Sequence, residues 1–582
     1  MYPKFGFPPS LPHLSRFLLR LFKSALRCTV AMAAIALALV CSALATDILT
    51  SRGDNARTGL NANETVLTPS FVSSASFGLV YNNSVDGQVY AQPLYVSNQL
   101  IIVNGQSQGT HNVLYVATEH DSLYAFDADT SVLYWKTSLL PTGESPVQAN
   151  DPNIGCSDLV PEIGITATPV IDKSAGPNGT IFVVAFSTNG SGGYFNRLHA
   201  IDLATGHDQL GLGPVLINPA PVIGTSPFNT FNPTRQRGRA GLLLLNGIIY
   251  TSWASYCDFS PFSGWIIAYY ENSLSQAAVF GSNPNGSPPS SDLPDGSGNG
   301  IWQDGTAPAV DSNNNIYVLT GNGPFDMNLT GGFPTKSDYG DSALKLLTPM
   351  LSASDYFTPF DQLTAAANDT DLGSGAAVVL PDINDTTGTI HHLLVAAGKD
   401  SRLYLLDRDN LGKFNSGGDL IYQELPVGTL PGGTWSSAAY FNNSVYLGSR
   451  GIRSSSFNLI LPILPNRCCV LCLSPVRNLP IRAQPQQSRP TERVAELFGP
   501  LSKIPAKPSC MPTTRPIWEM SFTTAIRLRS EGLSNSPYPQ SAMAKYSSAP
   551  RTRWLCLACC RQDRITFKAT VRARPIHKHL SK

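Results

Sequence analysis

Polar, charged and aromatic residues recur just before or between short apolar strands along the middle of this chain. Arginine and lysine there could bind anionic groups, carboxylates could hold a cation or exchange a proton, and indole rings could pack against a flat ligand. The candidates are Gln88, Glu162, Arg235, Arg237, Arg239, Trp302, Gln303, Asp304, Asp371, Lys399 and Trp435. Because they take equivalent places in successive repeats, we expect them to surround one pocket for a small-molecule or protein ligand.

The strands that would position these residues follow one recurring pattern, a small-residue strand followed by an apolar hairpin. The small-residue strands begin 62–76 residues apart, and the hairpins lie at 112–130, 180–206, 247–270, 315–347, 391–410 and 444–451. Four short antiparallel strands at that spacing are typical of a β-propeller blade. A β-sandwich also contains many short strands, but it does not explain one motif in six units. The sequence therefore predicts an all-β propeller of four-stranded antiparallel blades over 46–451, with about six blades present.

Charge is distributed very unevenly along the chain. Residues 1–45 carry 5 basic and no acidic side chains, and residues 452–582 carry 21 basic and 5 acidic ones. The chain totals of 41 basic and 40 acidic residues therefore leave 15 and 35 for the propeller, a net charge of −20. A body this acidic repels phosphate backbones, so we expect no nucleic-acid partner for the propeller itself.

The residues that close the hairpins indicate which propellers this chain is similar to. AFDADTSVLYW (125–135) and AIDLATG (200–206) fit an Ala-x-Asp-x-x-Thr-Gly-x-x-x-Trp repeat, with Ser131 in place of glycine in the first copy. With DNARTG (54–59) and YGDSALKL (339–346), they make the chain resemble the quinoprotein alcohol dehydrogenase-like superfamily, most of all an exported bacterial branch. Its members bind, or descend from proteins that bind, pyrroloquinoline quinone. The resemblance implies eight blades and is specific for fold rather than activity.

The resemblance also implies roles for the pocket residues, should the chain be a quinone- and calcium-dependent alcohol or sugar dehydrogenase. Asp304 or Asp371 would be the catalytic base, and Glu162 would bind calcium. Arg237 or Lys399 would hold the quinone carboxylates, Trp302 or Trp435 would pack on its ring, and Gln88 would complete the cofactor site.

Departures from the enzyme pattern favour a binding role instead. The alcohol-oxidising members carry a disulfide between adjacent cysteines against the quinone, and 46–451 contains no adjacent cysteine pair and no Cys-x-x-Cys-His haem site. The same superfamily includes non-catalytic scaffolds of outer-membrane assembly. We therefore expect a ligand- or protein-binding scaffold, with the dehydrogenase as the alternative.

The N-terminal segment predicts export. A basic stretch precedes an apolar run that ends in Ala-Leu-Ala at 43–45, the layout of a secretory signal, and an uncleaved membrane anchor is the alternative. We expect a secreted, periplasmic or cell-surface protein, with a membrane tether if the segment is retained. In such an oxidising compartment Cys156 and Cys257 could form a disulfide, although the sequence leaves open whether they are close.

The segment 452–582 breaks the pattern inside a hairpin and is rich in Arg, Pro, Ser and Cys. Back-translation one base earlier permits two further propeller-like stretches and a stop between Cys560 and Arg561. The sequence therefore predicts a frameshifted tail that is disordered as translated and leaves the propeller incomplete. Zinc binding by its cysteines, or binding of nucleic acid or an anionic membrane by its positive charge, are the alternatives.

Overall fold

The computed structural model describes residues 46–450, except 210, 223, 227, 228 and 386, and the backbone of four short strands beyond them. The predicted signal or anchor at 1–45 lies outside the described residues, as does most of the tail at 452–582. In the described part, no helix is long and apolar enough to cross a membrane. Helices are few and short: Pro69–Val72 and Gln362–Ala367, with 3₁₀ turns at Gln303–Gly305 and Leu372–Ser374.

Antiparallel sheets follow one another along the chain, as the repeat predicts. Sheet one contains Leu94–Val103, Gln106–Ala117, Ser122–Asp127 and Leu133–Ser138. Sheet two contains Val170–Asp172, Thr180–Thr188, Tyr194–Asp202 and Val215–Leu216. Sheet three contains Leu243–Leu245, Ile248–Ser255, Trp265–Tyr270 and Gln276–Gly281.

The later sheets repeat this order of strands. Sheet four contains Ala309–Val310, Ile316–Leu319, Ala343–Leu347 and Ser352–Phe357. Sheet five contains Val378–Val379, Leu393–Ala397, Leu403–Asp407 and Gln423–Leu425. Sheet six begins with Ala439–Phe441 and Ser444–Tyr446 and continues through Phe457–Pro462, Leu471–Pro475 and Cys556–Leu557. The predicted all-β fold of four-stranded antiparallel sheets is confirmed, and the total of eight blades stays a prediction.

Further strands extend or connect these sheets. Ser145–Gln148 and Glu162–Ile163 pair with each other, and the first also joins sheet two, while Gln236–Arg237 joins sheet three. The remaining strands are the pairs Leu329–Thr330 with Phe333–Pro334, Ile383–Asn384 with Ile390–His391, and Ser84–Val85 with Arg529–Ser530.

Apolar side chains fill the space between consecutive sheets. Val113 of sheet one and Val183 of sheet two share one buried cluster, and Val318 of sheet four shares another with Tyr250 of sheet three. Sheets two and three, four and five, and five and six are joined in the same way. Both faces of an inner strand are therefore covered, which explains why Thr180–Thr188 is buried along its whole length. Each such side chain contributes about 1.5–3 kcal/mol of burial free energy.

Residues 48–58, here called the hub segment, contact the first strand of all six sheets. Ile48 exchanges backbone hydrogen bonds with Tyr95. The amides of Ile171, Val310, Val379 and Tyr440 donate to hub carbonyls at 2.7–3.0 Å, and the Asn55 side chain donates to Leu244 O at 3.2 Å. One short segment can reach six first strands only if they surround a common axis. The described sheets are therefore arranged as propeller blades around the hub segment.

Arg57 fixes the conformation of the hub segment. Its side chain is 0% exposed and donates to Pro308 O, Ser51 O, Asp54 O and Thr50 Oγ1 at 2.8–3.0 Å. Burial lowers its pKa to about 9, with the Asp54 carboxylate opposing that shift. Arg57 thus binds sheet four to the turn that carries residues 52–54, and the Arg-Gly-Asp tripeptide there is part of the propeller centre.

Candidate functional site

A cavity of about 380 Å³ lies where the chain enters the first strands of sheets three to six. Its lining is almost entirely polar or aromatic: Asp158, Arg237, Arg239, Cys257, Asp258, Trp302, Asp304, Asn322, Asp371, Ser374, Lys399 and Trp435. A volume of this size is typical of small-molecule pockets.

The cavity brings together most of the residues that the sequence predicts for a site. Seven of the eleven candidates line it: Arg237, Arg239, Trp302, Asp304, Asp371, Lys399 and Trp435. They converge because equivalent positions of neighbouring blades face the same end of the propeller. Their catalytic or cofactor-binding roles stay predictions.

Gln88 and Glu162 do not line this cavity. The Gln88 Nε2 atom donates to Val160 O at 2.6 Å, and Glu162 Oε1 lies 2.9 Å from His120 Nδ1. Glu162 belongs to a strand that pairs with Ser145–Gln148, an extra hairpin that moves it away from the position expected by blade equivalence. The predicted calcium ligand, Glu162, therefore lies apart from the candidates that line the cavity.

Two arginines of sheet three give one wall of the cavity its positive charge. Arg237 lies on a short strand paired with Ser255 and Ala254, and its NH1 atom is 3.4 Å from Oδ2 of the exposed Asp158. Its buried Nε has no hydrogen-bond partner among the described residues. The guanidinium of Arg239 packs over Gly305, where a Cβ atom would lie 1.8 Å from NH1. Burial and the charge of Arg237 lower the pKa of Arg239.

Sheet five supplies a buried carboxylate and an ammonium group. Asp371 is 3% exposed, and its Oδ1 lies 2.7 Å from Lys399 Nζ, which also contacts Asp369 at 2.5 Å. Burial raises the pKa of Asp371 to about 6, although Lys399 opposes the shift. Asp371 therefore remains mostly ionised at neutral pH.

Asp304 lies in a strained turn at the entry to sheet four. Gln303, Asp304 and Gly305 have φ values of 49°, 48° and 75°, in the left-handed region that side chains other than glycine disfavour. Gln303 Oε1 anchors the turn by accepting from Leu319 N at 2.7 Å, and Ser437 N donates to Asp304 Oδ2 at 3.1 Å. Burial raises the pKa of Asp304 to about 7 against the fields of Arg239 and Arg52. Strained residues of this kind cluster at functional sites, at a cost of about 1–3 kcal/mol each.

Two indole rings flank the polar groups. Trp302 is held edge-on to Phe262 at 6.3 Å, and its ring occupies the space beside Gly300 and Gly321 where Cβ atoms would clash. Trp435 is 41% exposed, with the guanidinium of Arg450 at 5.1 Å from its ring centre. The indoles can pack against a flat or apolar part of a ligand.

A disulfide forms part of the cavity wall. Cys156 and Cys257 are bonded, with 5.6 Å between their Cα atoms, and Cys257 lines the cavity. It links the loop that carries Asp158 to the end of the second strand of sheet three. The adjacent cysteine pairs of the tail, Cys468/Cys469 and Cys559/Cys560, lie outside the described residues.

Several lining residues were not among the predicted candidates or could not be ranked. Arg239 belongs to a run with Arg235 and Arg237 that periodicity alone cannot separate. Asp158, Asp258 and Asn322 lie in loops whose course depends on the disulfide and on tertiary contacts. Asp258 directly follows Cys257, one of the two cysteines of the propeller, and this adjacency was the sequence signal that could have indicated it.

Burial of several carboxyl groups makes stability depend on pH. Burial raises the pKa of Glu119 and Asp304 to about 7 and that of Asp371 and Asp338 to about 6. The folded protein therefore binds more protons than the unfolded chain between the ordinary carboxyl pKa and pH 7, so stability is lost as pH rises through this window. We expect the urea midpoint to fall steadily from pH 5 to pH 8, and Glu119→Gln to flatten that slope.

Glu64→Gln, at an exposed position where the carboxylate accepts from the Val66 and Leu67 amides, serves as the control and should leave the slope unchanged. Asp409 is also exposed, but it lies 2.7 Å from His392 Nδ1 and is therefore a control only for measurements at one pH. A midpoint that rises between pH 5 and pH 8 would contradict this assignment of buried, protonated carboxyl groups.

Comparison with known proteins found likenesses to solved structures. No family model and no curated protein matches the chain. The structure is similar to quinohemoprotein alcohol dehydrogenase from Comamonas testosteroni, with TM-score 0.47 and 18% identity over 72% of this chain and 59% of that one. It is similar to quinohemoprotein alcohol dehydrogenase ADHIIG from Pseudomonas putida, with TM-score 0.44 and 15% identity over 73% of this chain and 58% of that one.

A europium-containing methanol dehydrogenase gives TM-score 0.43 and 14% identity over 74% of this chain and 70% of that one. The chain thus spans about three fifths of the length of the two alcohol dehydrogenases.

Proposed function

We propose that this chain is an exported β-propeller that binds a small organic anion in the cavity at the entry to sheets three to six. The pair Arg237 and Arg239 is the observation that carries this proposal. Arg237 has one ion-pair partner, an exposed carboxylate at 3.4 Å, and its buried Nε is unpaired within the described structure. Among the described residues, no side chain forms a hydrogen bond with the Arg239 guanidinium. The Arg402 guanidinium, by contrast, donates two hydrogen bonds to the Asp361 carboxylate.

Buried guanidinium groups are normally satisfied by carboxylates, because an unpaired buried donor costs about 1–3 kcal/mol. Arg237 has such a donor, and the half-buried Arg239 lines the same cavity, so the pair favours a ligand that supplies acceptors. Arginine suits this task because its donors match a carboxylate or phosphate in a bidentate arrangement. The disulfide supports the placement of this function outside the cytoplasm, where such bonds persist.

Citrate and succinate are suitable probe anions for this site. Ligand that binds only the folded state raises the melting temperature in proportion to RT ln(1 + [L]/Kd). We expect Arg239→Gln to weaken probe binding about 10- to 100-fold, the effect of losing one charge-assisted hydrogen bond. Melting temperature as a function of probe concentration measures this change.

Arg235→Gln is the matched control, because Arg235 lies four positions away, donates to Asn153 O at 2.8 Å and is not among the cavity residues. Equal effects of the two substitutions, or no melting shift with either probe, would contradict the proposal.

A quinone-dependent dehydrogenase is the second candidate, and Asp304 favours it. A general base works best when its pKa is near the working pH, and the pKa of Asp304 is about 7. The cavity lining also contains groups that suit an ortho-quinone tricarboxylate: Arg237 and Lys399 would hold its carboxylates, and Trp302 and Trp435 would pack against its ring. Such a quinone would supply the capacity to accept two electrons from an alcohol.

Calcium fits the described residues less well. In the described part of the chain, one group of three ionisable side chains has ligand atoms within 4.8 Å of one another: Cys156, Asp158 and Cys257. Both sulfurs are in the disulfide, so neither can act as a thiolate ligand. Calcium therefore has no part in the chemistry proposed for this cavity.

The dehydrogenase candidate predicts dye reduction by the quinone-supplemented protein with an alcohol substrate. Its rate should rise with pH around a midpoint of about 7, because Asp304 acts as a base only when ionised. Asp304→Asn should lower the rate at least about 100-fold, and Asp409→Asn should not change it. Anion binding without dye reduction would leave the binding function and exclude the oxidation of that alcohol.

A further inference from the structure

The two sides of the cavity carry opposite charges. Sheet three supplies Arg237 and Arg239. Arg237 is 7% exposed, and its Nε has no hydrogen-bond partner in the part of the chain that the structure describes. Sheet five supplies Asp371, and Asp258 joins it from the turn after sheet three's second strand. The ring of Trp302, from sheet four, lies in the lining with both groups.

The acidic side keeps an excess of negative charge. Lys399 is engaged by Asp371 and Asp369 at 2.7 and 2.5 Å. Asp258 is fixed by the Ser255 hydroxyl, which donates to its Oδ1 at 2.8 Å. Burial raises the pKa of Asp258. The charge of Lys399 opposes this shift, and the charges of Asp369 and Asp292 add to it, so these groups interact electrostatically. The one ammonium group on this side thus has three carboxylates around it, those of Asp258, Asp369 and Asp371.

The basic side has the opposite balance. The exposed Asp158 is the ion-pair partner of Arg237, and Asp304, whose pKa is about 7, is partly protonated at neutral pH. A simple anion would satisfy the arginines and leave the carboxylates beyond them without a counter-charge. A simple cation would do the reverse.

We propose that the cavity binds a zwitterionic small molecule, with its anionic group at Arg237 and Arg239 and its cationic group at Asp258 and Asp371. This inference rests on the proposed function. The chemical class is an amino-carboxylate whose two charges are separated by an apolar chain. Trp302 covers that chain. Electrostatic complementarity at both ends discriminates against molecules that carry only one of the charges.

The experiment titrates the full chain by calorimetry with ω-amino carboxylates of three to eight carbons. Alkanoates and alkylamines of the same lengths are the single-charge controls. We expect one chain length to bind best, and at that length the amino-carboxylate to bind at least about 10-fold tighter than either control, as one charge-assisted contact supplies. Asp258→Asn should remove this advantage and leave alkanoate affinity unchanged, whereas Asp409→Asn should alter neither.

The outcomes separate this inference from the proposed function. Alkanoates that bind as tightly as amino-carboxylates would overturn the zwitterion inference while anion binding stands. If none of the three series binds, and citrate and succinate do not bind either, both the zwitterion inference and the proposed anion-binding function are overturned. If Asp258→Asn does not fold, the comparison of the three series on the unaltered chain still decides the question.

Discussion

Replacing Arg57 by alanine should lower the free energy of unfolding by about 3–5 kcal/mol. The substitution removes the four hydrogen bonds of the Arg57 side chain and takes the guanidinium donor away from the buried carbonyl groups of Ser51 and Pro308. Asp54 O keeps the backbone amide of residue 57 as a donor. It also removes a large side chain that is 0% exposed, so packing around the hub is lost as well. Urea unfolding followed by tryptophan fluorescence measures the change.

Arg57→Lys and Arg235→Gln are the controls for this prediction. Lysine keeps the positive charge but cannot make all four bonds, so its cost should lie between those of the wild type and alanine. Arg235→Gln should change stability by less than about 0.5 kcal/mol, as surface substitutions do. An Arg57→Ala protein as stable as the wild type would show that the hub segment does not hold the blades.

Loss of the Cys156–Cys257 disulfide should cost about 2–5 kcal/mol. The bond joins residues 101 positions apart, and closing so long a loop removes much of the conformational entropy of the unfolded chain. The double variant Cys156→Ala/Cys257→Ala should therefore unfold at lower urea concentration. Because Asp158 lies two residues from Cys156, probe affinity at Arg237 should change in the same variant.

Reductant provides the matched comparison for the disulfide. A dithiol should destabilise the wild type to about the level of the double variant and should not lower the unfolding midpoint of the variant further. Equal midpoints for the wild type and the double variant would show that the cross-link contributes nothing to stability.

The strands were predictable because their signal is local and repeated. The pattern at 180–206 contains the observed pair Thr180–Thr188 and Tyr194–Asp202, and that at 391–410 contains Leu393–Ala397 and Leu403–Asp407. The first strand of sheet one's hairpin begins at Gln106, earlier than predicted, because polar residues extend it beyond the core. Hydrophobic alternation reports burial, so it cannot reveal an exposed extension of this kind.

The hub segment was not predictable, because its bonds connect residues far apart in sequence. Arg57 and Pro308 are separated by 251 positions, and Arg52 reaches Ala438 O across 386. In sequence, 48–58 is a short polar stretch with no repeat partner. Its role follows only from the closure of six sheets around one axis.

The candidate site was predictable in part, and the reason is blade equivalence. Trp302, Asp304, Asp371 and Trp435 precede the first strands of sheets four to six and share one cavity. Glu162 departs from this rule because sheet two contains an additional hairpin. Positional equivalence thus holds at the entries to sheets four to six and fails at Glu162, where the additional hairpin redirects the chain.

Anion binding in this cavity depends most directly on the pair Arg237 and Arg239, and one titration tests it. Calorimetry of the full chain with citrate, on the wild type and on the double variant Arg237→Gln/Arg239→Gln, measures stoichiometry and affinity together. We predict one saturable site per chain in the wild type and at least a 100-fold loss of affinity in the double variant, the combined effect of two charge-assisted contacts. Absence of saturable binding to the folded wild type, or equal affinity in the two proteins, would contradict the assignment of this cavity as an anion-binding site.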